Sequence, residues 1–163
     1  MIPDIRHCRV VQLCASDHGV LVRSDGREIA QCRILADDFP DYQRMLSRLP
    51  AIATRVTIAK DLFQRALEEY PGDRMILEST SAGISMGNFA DGWDPVKLLA
   101  AVTGPDLAIR FAVSALFPAI ATAIGLEVML DFHGPGHRVM VRSADRGDLT
   151  ALVMPIIDSV YEF

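Results

Sequence analysis

The sequence predicts an α+β protein built from repeated strand–helix–three-strand units with antiparallel sheets. Residues 53–157 run twice through the order of one strand, one helix and three strands. The strands are marked by alternating apolar and polar residues, and the helices by apolar residues three and four positions apart. Turn signals such as Asp25 followed by Gly26 separate consecutive strands, which is typical of antiparallel neighbours.

The first 38 residues predict only the end of such a unit. Three strands are expected, RVVQLCAS, GVLVRS and REIAQCRIL, without the first strand and helix, so residues 1–38 form a partial domain. Residues 39–52 are bracketed by prolines and poor in periodicity, and we interpret them as a connector between two domains.

Residues 53–157 are predicted to form one complete domain, followed by a tail at residues 158–163. Its first repeat comprises RVTIA, the helix KDLFQRALEEY, RMILEST, GISMGNF and a further strand around residues 96–102. Its second repeat comprises LAIRFAV, the helix SALFPAIATAI, EVMLDF, HRVMVRS and LTALVMPI. Ser114 is a plausible cap of the second helix; alternatively this helix begins near Phe117, with Pro118 in its first turn. No residue-level repetition is evident between the units.

Composition limits the class of protein. Half of the residues are hydrophobic and 23% are charged, which suits a packed core, and the net charge of −5 means that DNA contact requires a local basic face. There are three cysteines, Cys8, Cys14 and Cys32, and none of them has C-x-x-C spacing, so we expect reduced and buried thiols of a cytoplasmic protein. The charged first residues do not resemble a signal peptide. The uncharged residues 111–126 are too few for a membrane span.

Three segments match one known family. The connector has the pattern F-P-D-Y-x-R-x-L, with Phe39, Pro40, Asp41, Tyr42, Arg44 and Leu46. The last strand has the sequence Leu-Val-Met-Pro-Ile at residues 152–156, which is similar to the ending V-V-M-P-M of that family. FAVSALFPAIATAI has the family's strand-plus-helix pattern at the matching place. Together they resemble the bacterial replication sliding clamp, the beta subunit of DNA polymerase III. The resemblance implies the sliding-clamp (DNA clamp) fold, with two helices in the last domain. It covers essentially this whole chain but less than half of a clamp, namely the last domain and the end of the middle one.

The resemblance implies a non-catalytic scaffold of DNA replication without cofactor or metal. Its partners are DNA polymerase-type clamp-binding proteins, duplex DNA held without sequence specificity, and either further copies of itself or a longer clamp. The positions matching the family's partner-peptide groove are Pro40, Met45, Val153, Met154, Pro155 and Ile156. Alternatively, Val153 and Met154 are ordinary core residues of an edge strand. The weakly predicted DNA-facing residues are Arg44, Arg48, Lys60 and Arg65, although Lys60 and Arg65 also suit a solvated helix face.

Two departures from the family lead us to expect weakened or replaced partner binding. The part of the groove supplied by the missing middle-domain segment is absent. Residues 157–163 form a longer, more apolar tail, which suits either folding into the groove or pairing with a neighbour. Two other functions therefore stay open. One is a regulatory or oligomerisation module of a helix-turn-helix transcription regulator, and the other is a truncated clamp homologue that binds a full clamp.

Three motifs suggest chemistry that their context does not favour. Residues 83–87 match the G-x-S-x-G nucleophile motif of hydrolases but lie in an alternating strand, whereas that motif requires a strand, a sharp turn and a helix. His133 and His137, near Asp131, flank Gly-Pro-Gly, which predicts a hairpin turn rather than a zinc site. The acidic residues 90–94 around Trp93 lack the ligand spacing of a calcium loop and are interpreted as a surface loop.

Overall fold

A computed structural model describes residues 9–35, 37–87, 94–145 and 149–157. The chain divides into two compact units, Met1–Gln43 and Arg44–Phe163. The predicted loop around Trp93 and the tail at 158–163 lie outside the described residues.

Unit 1 contains one antiparallel sheet of three strands. β1 spans Val11–Ser16, β2 Gly19–Ser24 and β3 Arg27–Cys32, and they lie in the order β1-β2-β3. Asp25 and Gly26 both have positive φ, 49° and 78°, as a two-residue hairpin turn of type I′ requires. The hairpin predicted from this pair is confirmed. The expectation that the cysteines are buried is wrong for Cys14 and Cys32, which are free and exposed on this sheet.

The predicted connector contains a short helix, α1, at Tyr42–Ser47. The Tyr42 N–H donates to the carbonyl of Pro40 at 2.7 Å, and the Ser47 hydroxyl donates to the carbonyl of Arg44 at 3.1 Å. None of the helix residues is buried. Because six residues span less than two turns, they produce no apolar periodicity from which this helix could be predicted.

Unit 2 repeats the order of strand, helix and strands, which confirms the α+β prediction. Its first half comprises β4 (Thr54–Ala59), α2 (Lys60–Glu69), β5 (Arg74–Thr80), β6 (Gly83–Gly87), β7 (Val96–Leu98) and β8 (Ala101–Thr103). Its second half comprises β9 (Leu107–Ala112), α3 (Val113–Thr122), β10 (Glu127–Phe132), β11 (Val139–Ser143) and β12 (Thr150–Val153). The strands form two antiparallel sheets, in the orders β12-β11-β10-β4-β8 and β7-β6-β5-β9.

The prediction of a single strand around residues 96–102 is wrong. Two three-residue strands stand there, and they belong to different sheets: Leu98 on β7 pairs with Ile84, whereas Val102 on β8 pairs with Val56. Leu99, between the two strands, is 84% exposed. One continuous strand would pair with a single sheet, whereas the break allows the segment to add an edge strand to both.

α3 begins at neither of the two predicted positions. Its first residue is Val113, and Ala112 before it makes no side-chain cap. The Val113 N–H instead donates to the carbonyl of Asp73 at 2.9 Å, so a backbone group from another element replaces the cap expected from Ser114. Pro118 consequently lies inside the helix rather than in its first turn.

The core of unit 2 is formed by the two helices and the inward faces of both sheets. Its largest fully buried side chains lie on every layer: Phe63 and Leu67 on α2, Leu116 and Ile120 on α3, and Ile58, Leu77, Phe111, Leu130 and Phe132 on strands. Among the described residues no helix has the length and apolar character needed to cross a membrane.

The strand registers show a likeness between the sheet of unit 1 and part of unit 2. The sheet of unit 1 and the strands β10–β12 present the same rows of residues on one face. The matching rows are Val11–Ser24 with Val128–Ser143, Leu13–Val22–Ala30 with Leu130–Val141–Ala151, and Val20–Cys32 with Val139–Val153. The likeness is between sets of residues that are paired across strands, not between continuous stretches of sequence. It is therefore not evident when the sequence is inspected along its length.

Candidate functional site

The segment that follows β12 crosses from one sheet of unit 2 to the other. The backbone N–H of Ile156 donates to the carbonyl of Arg110 at 2.8 Å, and Arg110 lies on β9, the edge strand of the four-stranded sheet. Pro155 is buried, whereas Met154 is 47% exposed. Because proline lacks an N–H, it interrupts strand pairing between β12 and the new contact at Ile156.

An open groove of about 400 Å³ lies beside this contact. It is lined by Ile76, Ala108, Ile109, Arg110, Pro135, Gly136, Ile156 and Ile157, and we call it the β9 groove. Four isoleucines and a proline give it a largely apolar lining, and Arg110 is its charged residue. A groove of this size and chemistry suits short apolar side chains of a ligand.

The turn between β10 and β11 forms one wall of the groove. Gly134 has φ +119°, a conformation that favours glycine, and the His137 N–H donates to its carbonyl at 3.2 Å. His133 is buried, and its Nδ1 lies 2.6 Å from the carbonyl oxygen of Pro50. Because a carbonyl only accepts, Nδ1 bears the proton and donates it, which anchors the base of the turn. The predicted hairpin between His133 and His137 is thereby confirmed.

Asp131, on the strand before this turn, forms ion pairs with two arginines. Its side chain is fully buried; one carboxylate oxygen lies 2.5 Å from Nε of Arg55, and the other lies 2.6 Å from Nη2 of Arg142. The hydrogen bond to Asp131, reinforced by the attraction of opposite charges, raises the pKa of Arg55 above its ordinary value. The described residues contain no cluster of three or more side chains suited to hold a metal ion.

The residues predicted to form a partner groove have different surroundings. Ile156 lines the β9 groove, and Pro155 and Met154 precede it directly. Val153 is 4% exposed and packs in the core, which is the alternative that the sequence left open for it. Met45 is half-buried on α1, and Pro40 is exposed in unit 1.

The four basic residues considered for DNA contact also differ. Arg44, Arg48 and Arg65 are exposed, whereas Lys60 is half-buried and its Nζ donates to the carbonyls of Ala121 and Ala123. The other exposed charged residues of α2 are all acidic: Asp61, Glu68 and Glu69. The exposed surface of this helix therefore has more negative than positive charge.

The G-x-S-x-G motif forms strand β6 and not a turn into a helix over its described length. The Ser85 hydroxyl donates to the Glu78 carboxylate on the paired strand at 3.1 Å. A cavity of about 450 Å³ opens there, and Lys97 lines it together with Ser85 and Glu78. The ionisable side chains of its described lining are Glu78 and Lys97.

Sequence reasoning missed most of the groove's lining. Ile76, Ala108 and Arg110 were interpreted only as strand residues, and Pro135 and Gly136 only as a turn. Alternation along LAIRFAV indicates a strand but does not show that the strand lies at a sheet edge. The one available signal was Pro155, since a proline after a strand marks the point where the chain leaves its sheet.

No protein-family model matches the sequence, and no curated protein matches it. Solved structures do match. The DNA polymerase sliding clamp from Pseudomonas aeruginosa is 18% identical with a TM-score of 0.74, and the match covers 90% of this chain and 42% of the clamp. The beta subunit from DNA polymerase of Streptococcus pyogenes is 22% identical, with a TM-score of 0.74 and coverage of 90% and 42%.

The DNA polymerase III beta subunit from Thermotoga maritima is more distant at 16% identity, with a TM-score of 0.71 and coverage of 90% and 41%. At such identities the likeness concerns the fold. The chain spans about two fifths of the length of these clamps. It has the sliding-clamp fold, as the three sequence segments predicted.

Proposed function

We propose that this chain is a non-catalytic clamp-type platform of DNA replication, which binds short apolar peptide segments of DNA polymerase-type proteins in the β9 groove. The observation that supports this proposal most directly is the hydrogen bond from Ile156 to Arg110. It brings the segment with the clamp-like motif to a sheet edge beside an apolar groove of about 400 Å³.

The chemistry of the groove agrees with peptide binding. Ile156 and Ile157 lie on one side and Ile109 on β9 lies on another, so apolar side chains of a peptide would leave water on entering. Met154 is exposed beside them, and its flexible thioether adapts to different partners. Pro40 and Met45 remain predictions of the sequence alone, whereas Val153 packs in the core.

Fluorescence anisotropy with a labelled peptide of the Gln-Leu-x-Leu-Phe type tests this function. We expect saturable binding with a dissociation constant of about 1–100 μM, which corresponds to about −8 to −5.5 kcal/mol. Ile156→Ala removes part of the lining and keeps the backbone N–H that bonds to Arg110, so it should weaken binding about tenfold. Met154→Ala should weaken it several-fold.

Ile124→Ala is the matched control, because Ile124 is 67% exposed and does not line the groove. It should leave the affinity unchanged. Absence of saturable binding by the unmodified chain at about 100 μM, or equal losses in Ile156→Ala and Ile124→Ala, would overturn the proposal.

Contact with duplex DNA is a second, weaker part of the proposed function. Arg44, Arg48 and Arg65 are exposed, whereas Lys60 is half-buried and donates to carbonyls at the end of α3. The acidic residues on α2 oppose the approach of DNA. Any such binding is therefore expected to be weak, non-specific and sensitive to salt.

A further inference from the structure

The four-stranded sheet of unit 2 has two cavities on the face that points away from the core. One is the β9 groove, and the other is the cavity of about 450 Å³ beside β7, which we call the Glu78 cavity. Leu77 on β5 and Met86 on β6 pack in the core, so the residues that alternate with them point outward. Glu78 and Ser85 therefore lie on the outward face, as does Ile76 of the β9 groove.

The strand registers make the two cavities neighbours. Ala108 lines the β9 groove, and its cross-strand partner Glu78 lines the Glu78 cavity. Ile76 of the groove is two residues from Glu78 on β5, so both side chains lie on the same face. Directly opposed residues of an antiparallel pair have Cβ atoms about 5 Å apart. One extended ligand can therefore contact both cavities along the surface of the sheet.

A row of polar side chains leads away from the groove. Glu78 on β5 pairs with Ser85 on β6, and Ser85 pairs with Lys97 on β7. The Ser85 hydroxyl donates to the Glu78 carboxylate at 3.1 Å, which fixes the orientation of this carboxylate. Glu78 is half-buried and Lys97 is exposed. A ligand that leaves the groove along this row meets a negative charge first and a positive charge second.

We propose that this row selects partner peptides by the order of their charges. The apolar segment of the peptide occupies the β9 groove, and its flank places a basic residue on Glu78 and an acidic residue on Lys97. This inference rests on the proposed function, because it extends the same peptide site. Neighbouring strands lie about 4.8 Å apart, so Glu78 and Lys97 are about 10 Å apart across two spacings. An extended peptide advances about 3.3 Å per residue, so its two charges are about three residues apart.

The order of charges along the row favours a peptide over a nucleic acid. A DNA strand has only negative phosphates, so Glu78 repels it, whereas a peptide can carry both signs at fixed positions. Thr80 and Leu99 also line the Glu78 cavity. The uncharged peptide residues between the two charged ones therefore meet a surface with both polar and apolar side chains.

Labelled peptides of equal composition test the charge order by fluorescence anisotropy. The reference peptide is Gln-Leu-x-Leu-Phe, and each extended peptide adds two alanines, one lysine and one aspartate. In the matching peptides the lysine is next to the motif and the aspartate is three residues farther out; in the reversed peptides the two are exchanged. Both kinds are made with the extension at either end, so that both directions of the peptide in the groove are covered.

At one of the two ends, the matching peptide should bind about five- to tenfold more tightly than the reversed peptide, because two attractive contacts replace two repulsive ones. This ratio of affinities is the charge preference. Salt screens exposed charges, so the preference should fall below about twofold in 1 M sodium chloride, while the apolar contacts of the reference peptide persist. The comparison uses the unmodified chain, so it does not depend on whether a variant folds.

Substitutions assign the charge preference to the two residues. Glu78→Gln keeps an acceptor for the Ser85 hydroxyl but removes the charge, so the preference should fall to about half or less. Lys97→Glu should abolish the preference, since both peptides then make one attractive and one repulsive contact. Arg27→Glu is the control with the same change of charge; Arg27 is exposed, lines neither cavity and should leave the preference unchanged. Arg110 is retained in every variant, so it cannot cause a difference between them.

The double variant Glu78→Lys with Lys97→Glu has the net charge of the unmodified chain and the opposite order of charges. It should bind the reversed peptide more tightly than the matching peptide. Equal affinities for the two peptides at both ends, a preference that survives Lys97→Glu, or a preference that the double variant does not reverse would each overturn the inference.

The reference peptide distinguishes this inference from the proposed function. If the reference peptide binds, is weakened by Ile156→Ala and gains nothing from charge order, the β9 groove is a peptide site and only the inference is overturned. If neither the reference nor the extended peptides bind, the proposed function is overturned and this inference with it.

Discussion

Nζ of Lys60, at the start of α2, lies 2.9 Å from the carbonyl oxygen of Ala121 in the last turn of α3. The same ammonium also donates to the carbonyl of Ala123. The last carbonyls of a helix lack intrahelical partners and have partial negative charge. A cation placed there donates hydrogen bonds to these carbonyls and balances their charge. Lys60 therefore joins the two helices, and its charge is used within the fold.

Replacing this lysine should destabilise unit 2. Lys60→Met removes two charge-assisted hydrogen bonds and leaves half-buried carbonyls without partners, and we expect a loss of about 1–3 kcal/mol in the free energy of unfolding. Arg65→Met on the exposed side of the same helix is the control and should stay within about 0.5 kcal/mol. Urea denaturation measures both; equal values for the two variants would contradict the structural role of Lys60.

The second prediction concerns the salt dependence of DNA binding. With a net charge of −5 and three acidic residues exposed on α2, the chain should bind a 20-base-pair duplex with a dissociation constant weaker than about 10⁻⁴ M in 0.15 M salt. Lowering the salt should strengthen binding, and Arg44→Ala with Arg48→Ala should reduce the dependence on salt. Tight binding that persists in 0.15 M salt would contradict this expectation.

The third prediction concerns the buried carboxylate of Asp131. Asp131→Asn leaves Arg55 and Arg142 without their anion; because both arginines keep about a third of their side chains in solvent, we expect a loss of about 2–3 kcal/mol rather than the larger cost of a fully buried pair. Asp106→Asn, at an exposed position, should change the unfolding free energy by less than about 0.5 kcal/mol.

A double-mutant cycle between Asp131→Asn and Arg142→Met, measured by urea denaturation, isolates the interaction itself. A positive coupling energy is expected, because the two side chains touch at 2.6 Å. Strict additivity of the two single effects would show that the ion pair adds nothing to the stability of the sheet.

The fourth prediction compares equivalent leucines of the two matching sheets. Leu130→Ala creates a cavity at a position with 0% exposure and should cost about 2–5 kcal/mol. Leu13→Ala, in the same row of unit 1, removes a side chain that is 70% exposed and should cost less than about 0.5 kcal/mol. Thermal unfolding of the chain alone checks this contrast, and a large loss for Leu13→Ala would contradict the exposed face.

Sequence patterns predicted the strands and both long helices of the fold because each has a regular alternation or helical spacing. RMILEST is a strand over all seven predicted residues, at Arg74–Thr80. The six-residue α1 and the three-residue β7 and β8 were missed or merged, since elements this short contain less than one informative period. The start of α3 was missed because its cap comes from Asp73, a residue remote in sequence.

Only the part of the candidate site that lies in one continuous segment of the sequence was predicted. Residues 154–156 were proposed from a local motif, and Ile156 does line the β9 groove. Ile76 and Pro135 come from other elements, and only the pairing of strands and the crossing of the last segment bring them together. Contacts between residues of different sheets leave no pattern along a single sequence, so they cannot be predicted from it.

The matching rows of the two sheets also affect folding. A helix with the apolar residues of α3 encounters two similar templates during folding, one on β1–β3 and one on β10–β12. Val153 offers more contact area than Cys32, so the correct template is favoured by side-chain volume rather than by pattern. Exchange of α3 between neighbouring molecules is consequently the expected misassembly when the chain refolds at high concentration.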